Sequence, residues 1–229
     1  VTQGIVQKED ITENGIKYIK QDGSVGYYQT VNKTTPVAGD VKYVDRNGDG
    51  VVDDNDRDII GNPNPDFTYG FQTKVSWKSL SLSASFNGVQ GRDILNVGNR
   101  YNNTPGTKSN NVTRKAFQNM WTDENPSNLY PKSTFVVQNM VMDRYVEDGS
   151  YLRCSDITLS YVLPAKWTNK IGIKNTSVYA SVKNAFVITD YSGYDPEVNS
   201  FAFDGLRPGV DMNSYPTPRS FVFGLNLTF

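Results

Sequence analysis

The feature that most limits what this chain can become is a pair of alternating segments separated by two residues. Phe67, Tyr69, Phe71, Val75 and Trp77 fall on one face of an extended segment, with Thr68, Gly70, Gln72, Lys74 and Ser76 on the other. From 80 to 88 the pattern returns, Leu80, Leu82, Ala84 and Phe86 against Ser81, Ser83, Ser85 and Asn87. A period of two is the strand period. Only Lys78 and Ser79 intervene, and residues flanking a two-residue turn pair directly and point the same way. Trp77 and Leu80 therefore share the apolar face, and both alternations agree in register.

Three later segments behave alike. Ile157, Leu159, Tyr161 and Leu163 alternate, as do Val178, Ala180, Val182, Phe186 and Ile188, and finally Phe221, Phe223, Leu225, Leu227 and Phe229. The pattern predicts strands over 67–77, 80–88, 151–163, 175–188 and 218–229. A short helix is expected over 112–121, where Val112, Ala116, Phe117, Met120 and Trp121 share a face. Everything else reads as loop, including residues 1–66.

Composition narrows the function. Twenty-three Lys and Arg against 24 Asp and Glu give a net charge of -1, which leaves no electrostatic footprint for nucleic acid. The chain has no His and one Cys, so the commonest general base and zinc ligand is missing and neither an internal disulfide nor a thiolate cluster can form. With a mean hydropathy of -0.52, no apolar run approaches the roughly 20 residues of a membrane-spanning helix. The opening Val1-Thr2-Gln3-Gly4 carries no Met and no signal peptide, and the chain is expected to be a piece of something longer.

The connections alternate in length: 78–79 is minimal, 90–150 long, 164–174 moderate and 189–217 long. Outer-membrane barrels show this asymmetry, with short periplasmic turns and long outer loops. If Phe229 lies at the periplasmic side, parity puts 164–174 and 78–79 in the periplasm and 90–150, 189–217 and everything before Phe67 outside. A soluble antiparallel sandwich also alternates apolar and polar residues, and periodicity does not say which solvent the apolar face meets. Five strands cannot close a barrel, and an open edge cannot sit in lipid, so a barrel reading makes the chain a fragment.

The sharpest local motif runs from Asp45 to Asp56, matching the D-x-[DN]-x-[DN]-G calcium loop. Asp45, Asn47 and Asp49 would supply side-chain oxygens, Val51 its carbonyl and Asp56 the closing carboxylate, with Asp53 acting through water. Position 12 is Asp rather than Glu, and no helices flank the loop, so a bound calcium would be structural. The other reading is a run of Asx turns without metal. Asp195 and Glu197 can be nominated as a hydrolytic carboxylate pair, but acids beside a proline in a loop are poor evidence for catalysis, and no catalytic site is assigned. Tyr101, Tyr130, Tyr191, Tyr194 and Tyr215 sit in loops and suit either stacking on sugars or loop packing. Cys154 falls, by parity, on the polar face of its strand. The sequons at Asn32, Asn102, Asn111, Asn175 and Asn226 are expected by chance.

Several ordered blocks over about 190 residues resemble the C-terminal end of SusC/RagA-type TonB-dependent outer-membrane transporters. They are Gly39-Asp40-Val41-Lys42-Tyr43-Val44-Asp45 with Asn47-Gly48-Asp49-Gly50, then Ile60 to Gly70, Gln90-Gly91-Arg92-Asp93 and Trp121 to Pro126. Asp148 to Arg153, Asn184-Ala185-Phe186, Tyr191 to Glu197, Tyr215-Pro216 and Phe223 to Phe229 follow in the same order. Cys154, Ser160 and Ala185 depart from the usual leucine, glycine and leucine. The resemblance implies a 22-stranded antiparallel β-barrel with an N-terminal plug in the outer membrane of a Gram-negative bacterium, of which the last five strands are here. It implies import of oligosaccharides or peptides, energy through the TonB complex and plug, and a SusD-type surface lipoprotein as lid. The rival is a soluble, calcium-braced β-sandwich that binds carbohydrate.

Overall fold

The computed structural model describes residues 1–30, 36–104, 111–133, 141–168, 173, 175–197, 200–201 and 204–228. Its strands are β1 Thr2–Ile5, β2 Ile11–Thr12, β3 Gly15–Ile19, β4 Val25–Thr30, β5 Val41–Tyr43, β6 Val51–Val52 and β7 Phe67–Trp77. There follow β8 Leu80–Gln90, β9 Asp93–Asn96, β10 Val146–Asp148, β11 Tyr151–Val162, β12 Asn175–Thr189, β13 Val210–Asp211 and β14 Ser220–Thr228. Among the described residues there are also three short α-helices, α1 Val97–Asn103, α2 Arg114–Asn119 and α3 Ala165–Thr168, and 3-10 turns at Lys8–Asp10, Asp54–Asp56 and Asp143–Tyr145. Among the described residues no helix is long and apolar enough to cross a membrane. The chain forms two units: residues 1–62 with 95–147 and 211–213, and residues 63–94 with 148–210 and 214–229.

The second unit is built on one antiparallel sheet in the order β14-β12-β11-β8-β7. Directly opposed residues share a face, so the register assembles the predicted apolar stripes into rows. One row runs Trp77, Leu80, Tyr161, Val178, Leu225, and the next Val75, Leu82, Leu159, Ala180, Phe223. No described residue forms a layer over this face: Trp77, Val75 and Phe223 are 69%, 65% and 79% exposed. Phe67 and Trp77 are about 33 Å apart along β7. At a tilt near 40° that spans roughly 25 Å, the height of a barrel's apolar band. On the opposite face Gly224 lies under the Tyr179 ring, where an added Cβ would come within 2.2 Å of ring carbons.

The strand spans differ from those expected by one or two residues at most, except in one respect that matters. A β-bulge interrupts β11 between Cys154 and Asp156, where Asp156 opposes Ser85 but Cys154 opposes Phe86. The extra residue, Ser155, inverts the alternation. Cys154 therefore joins Phe71, Phe86 and Phe186 on the apolar face, not the polar face, and Arg153 and Tyr151 turn to the polar one beside Asn87 and Val89. The Phe71 and Phe86 rings stack at 4.5 Å between centroids and Phe86 meets Phe186 edge-on at 6.4 Å, while Cys154 is fully buried. The predicted terminal Phe229, like the sequon residue Asn32, lies outside the described residues.

The first unit corrects the reading of residues 1–66 as loop. β2, β3, β4 and β6 form a four-stranded sheet, with β4 and β6 parallel, and β1 pairs with β5. Val6, Ile16, Tyr18 and Tyr28 make one buried cluster, and Ile5, Val41, Trp121, Met142 and Tyr145 another. Each of these strands holds six residues or fewer, too short for alternation to stand out from noise. The expected helix over 112–121 shrinks to α2, capped by the Thr113 hydroxyl. Met120 is extended, so Trp121 is buried from outside the helix, while Phe117, expected on the packed face, is 62% exposed.

Candidate functional site

Bulge-driven inversion of β11 brings charge onto the polar face, and the segment 194–197 closes over it. Arg153, 4% exposed, donates from Nη2 to Asp195 Oδ1 at 2.5 Å. Its Nε lies 2.8 Å from Glu197 Oε2, an ion pair whose angle falls short of a hydrogen bond. Glu197 Oε1 accepts from the Tyr151 hydroxyl at 2.6 Å and from Asn87 Nδ2 at 3.0 Å. Asp195, 3% exposed, also accepts from the backbone N–H of Glu197 and of Thr217, and Arg92 donates to the carbonyl of Pro196. Burial alone would push the Asp195 carboxyl up. The two N–H donors and the Arg153 charge outweigh it and hold the group below the usual carboxylate range. Such a cluster binds a loop to a wall. It is unsuited to acid–base catalysis, because both carboxylates are already committed to a guanidinium and to N–H or O–H donors.

Below it, the polar face carries a second network. Asp156 accepts from Ser181 at 2.7 Å and from Thr158 at 2.8 Å, and pairs with Lys183 at 2.6 Å. Ser76 and Ser81 share a hydrogen bond at 2.8 Å. This face is a lattice of hydroxyls and compensated charges, which a wetted surface tolerates and hydrocarbon does not. Arg153 was not singled out from sequence, although a signal existed: an arginine on the apolar parity of a strand implies a bulge between it and the apolar residues that follow.

The acidic loop lies in the first unit. Asp45 is buried and accepts from the N–H groups of Gly48 and Gly50 at 2.7 and 2.8 Å. Asn47 and Asp49 are exposed and engage each other, the Asp49 N–H donating to Asn47 Oδ1 and the Val51 N–H to Asp49 Oδ1. Asp56 is buried, accepting from the N–H of Arg46 on Oδ1 and of Asp53 on Oδ2. The Tyr18 hydroxyl donates to the carbonyl of Asp45 at 2.9 Å, and burial with the Asp45 charge raises its pKa. Nearby, burial pushes the Tyr28 phenol up to about 12. Among the described residues no group of three or more Cys, Asp or Glu is gathered as for a metal. The oxygens are turned onto the backbone, as in Asx turns, each retaining a lone pair. Of the loop tyrosines, Tyr130 and Tyr191 are buried packing residues, whereas Tyr194 and Tyr215 are 69% and 87% exposed and Tyr101 is half-buried.

Long antiparallel strands, an uncovered apolar face with aromatic residues and a polar opposite face define a segment of membrane β-barrel wall. Relatives agree. The chain is 35% identical over 201 residues to TonB-dependent receptor P26 of Formosa agariphila, covering 84% of this chain and 20% of that protein. It is 34% identical over 194 residues to TonB-dependent receptor SusC of Bacteroides thetaiotaomicron, covering 82% of this chain and 17% of that one. The fold matches the structure of the RagAB peptide transporter with a TM-score of 0.68 at 23% identity, across 100% of this chain and 22% of that chain. No family model matches. The chain thus spans about a fifth of the length of the curated relatives it matches, and its resemblance to SusC and RagA holds over most of its own length. Those relatives are named as receptors and transporters, not enzymes.

Proposed function

We propose that this chain is part of a TonB-dependent importer in the outer membrane of a Gram-negative bacterium, supplying barrel wall and external loops. The observation that carries the reading is the uncovered apolar face of the five-stranded sheet, backed by a polar one. A carbohydrate-binding sandwich would need a second sheet over that face, and none is present among the described residues. The remaining barrel and plug would close the sheet and transmit energy from the TonB complex. Segment 194–197, clamped by Arg153, would present Tyr194 and the exposed Tyr215 toward cargo, an oligosaccharide or a peptide, beneath a SusD-type lipoprotein lid.

Uptake by cells carrying the full-length transporter tests this. Fluorescent oligosaccharides or peptides should enter in a manner abolished by a protonophore, and a surface lipoprotein should co-purify. Equal uptake by cells lacking the gene overturns it.

A structural calcium in the Asp45–Asp56 loop belongs to the same reading, with Asp45, Asn47, Asp49, Val51 and Asp56 as ligands. Oxygen-bearing residues at alternate positions and the Gly50 turn support it. Elemental analysis of the purified transporter should find one calcium fewer in Asp49→Ala, and an unchanged stoichiometry removes the ion from the reading.

A further inference from the structure

We propose that the short-turn end of the sheet holds a phospholipid headgroup site built from Trp77, Lys78, Lys166 and Trp167, its ligand the phosphate of an anionic lipid. The inference rests on the barrel reading but goes beyond it. It starts from a misplaced residue. In the turn joining β7 and β8, Lys78 has φ 53° while Ser79 does not share the positive sign, the pattern of a type II′ turn, whose first central position favours glycine. A lysine there accepts left-handed strain that Gly or Asn would relieve. Its side chain is used: Nζ sits 4.7 Å from the centroid of Trp77, whose ring is 69% exposed on the lipid-side row.

The second turn adds like groups. The N–H of Val162, at the end of β11, donates to the carbonyl of Ser79 at 2.8 Å and ties the two connections together. Just beyond it, in α3, Lys166 is exposed and Trp167 is 60% exposed. Among the described residues neither Lys78 nor Lys166 has a carboxylate partner. The sequence is one-sided here: connections 78–79 and 163–174 carry Lys78, Lys166, Lys170 and Lys174 with no Asp or Glu, in a chain whose net charge is -1. Tryptophan settles at the level of lipid headgroups, and ammonium groups above it meet the phosphate layer. Two lysines with no carboxylate partner among the described residues, each next in sequence to an exposed tryptophan and carried on connections tied by a hydrogen bond, match an anionic phosphate ester with glycerol and acyl chains attached. A soluble anion would have no use for the indoles.

The test uses the full-length transporter in detergent, titrated with phosphatidylglycerol or phosphatidylcholine and read by native mass spectrometry. The variant is Lys78→Asn with Lys166→Gln, in which Asn keeps the left-handed turn comfortable. At about fivefold per lysine, the pair should weaken phosphatidylglycerol retention roughly 25-fold and leave phosphatidylcholine retention alone. Equal phosphatidylglycerol binding by variant and parent overturns the site, as does a parent that retains both lipids equally. A transporter that stays soluble and monodisperse without detergent fails earlier, sinking the barrel reading itself and the lipid site with it.

Discussion

The two units spend the same residue types in opposite ways. In the first, Val6, Ile16, Tyr18 and Tyr28 are buried against one another, and the strands that carry the last three are short. In the second, Val75, Phe221, Phe223 and Leu225 stand exposed on strands of nine residues or more, while the buried side chains include Arg153 and Asp195. The contrast teaches that burial is not a property of a residue but of the solvent its fold expects. One unit hides hydrocarbon from water; the other hides charge from hydrocarbon and leaves hydrocarbon outside.

Removing the buried charge should strike hardest. Arg153→Met leaves Asp195 and Glu197 without their cation and should cost about 3 to 5 kcal/mol, seen as proteolysis of 189–217 before the strands are lost. A smaller loss would mean the cluster is wetter than its burial suggests. Next comes charge placed on the apolar face: Val75→Arg or Leu225→Arg should cost about 2 to 4 kcal/mol near the bilayer midplane, measured as reduced folded yield in liposomes. Full assembly of both variants would place that face in water.

Size separates the units most cleanly. Val6→Phe overpacks a closed cluster and should cost about 1 to 3 kcal/mol, whereas Val75→Phe, against fluid lipid, should cost nothing in the same denaturant titration. Equal costs would show that both faces are packed by protein. The mildest handle is acid. Asp195 titrates below the ordinary carboxylate range when folded, so its contribution is present above the unfolded value near 4 and disappears as pH falls through the lower folded one. Protection of 189–217 from protease should decline over that acid window alone, and Asp195→Asn should flatten the decline.

Much of this was legible in the chain, for reasons that differ by residue. β7 and β8 announced themselves because two alternating runs, the first broken only at Thr73, met across two turn residues. Trp77 and Leu80 pair as their spacing requires. The first unit hid because a two- or three-residue strand carries no period, yet one hairpin was within reach. Ile16 and Tyr18 alternate before Asp22-Gly23, and Gly26 and Tyr28 after it, a turn signal between matching stripes. Cys154 was assigned to the wrong face because parity was carried straight through Ser155. The Asp45 loop could be spelled out residue by residue, but whether its oxygens meet a cation or their own backbone is decided by energies that spacing does not encode.

The bulge at Ser155 gives β11 two reading frames, and this constrains how the segment can change in length. From Asp156 onward odd-numbered residues meet the apolar side; before it, even-numbered ones do. Deleting Ser155 would remove the extra residue and leave one regular alternation, with Arg153 still on the polar face and Cys154 on the apolar one; straightening the strand with Ser155 kept would instead aim Arg153 at the membrane and Cys154 at the hydrated side. The connecting segments on either side can gain or lose residues singly, whereas between Tyr151 and Ile157 the single loss that keeps every side chain on its face is that of the bulge residue itself. A family of such proteins would therefore be expected to vary freely in loop length while this stretch either keeps its bulge or loses that one residue.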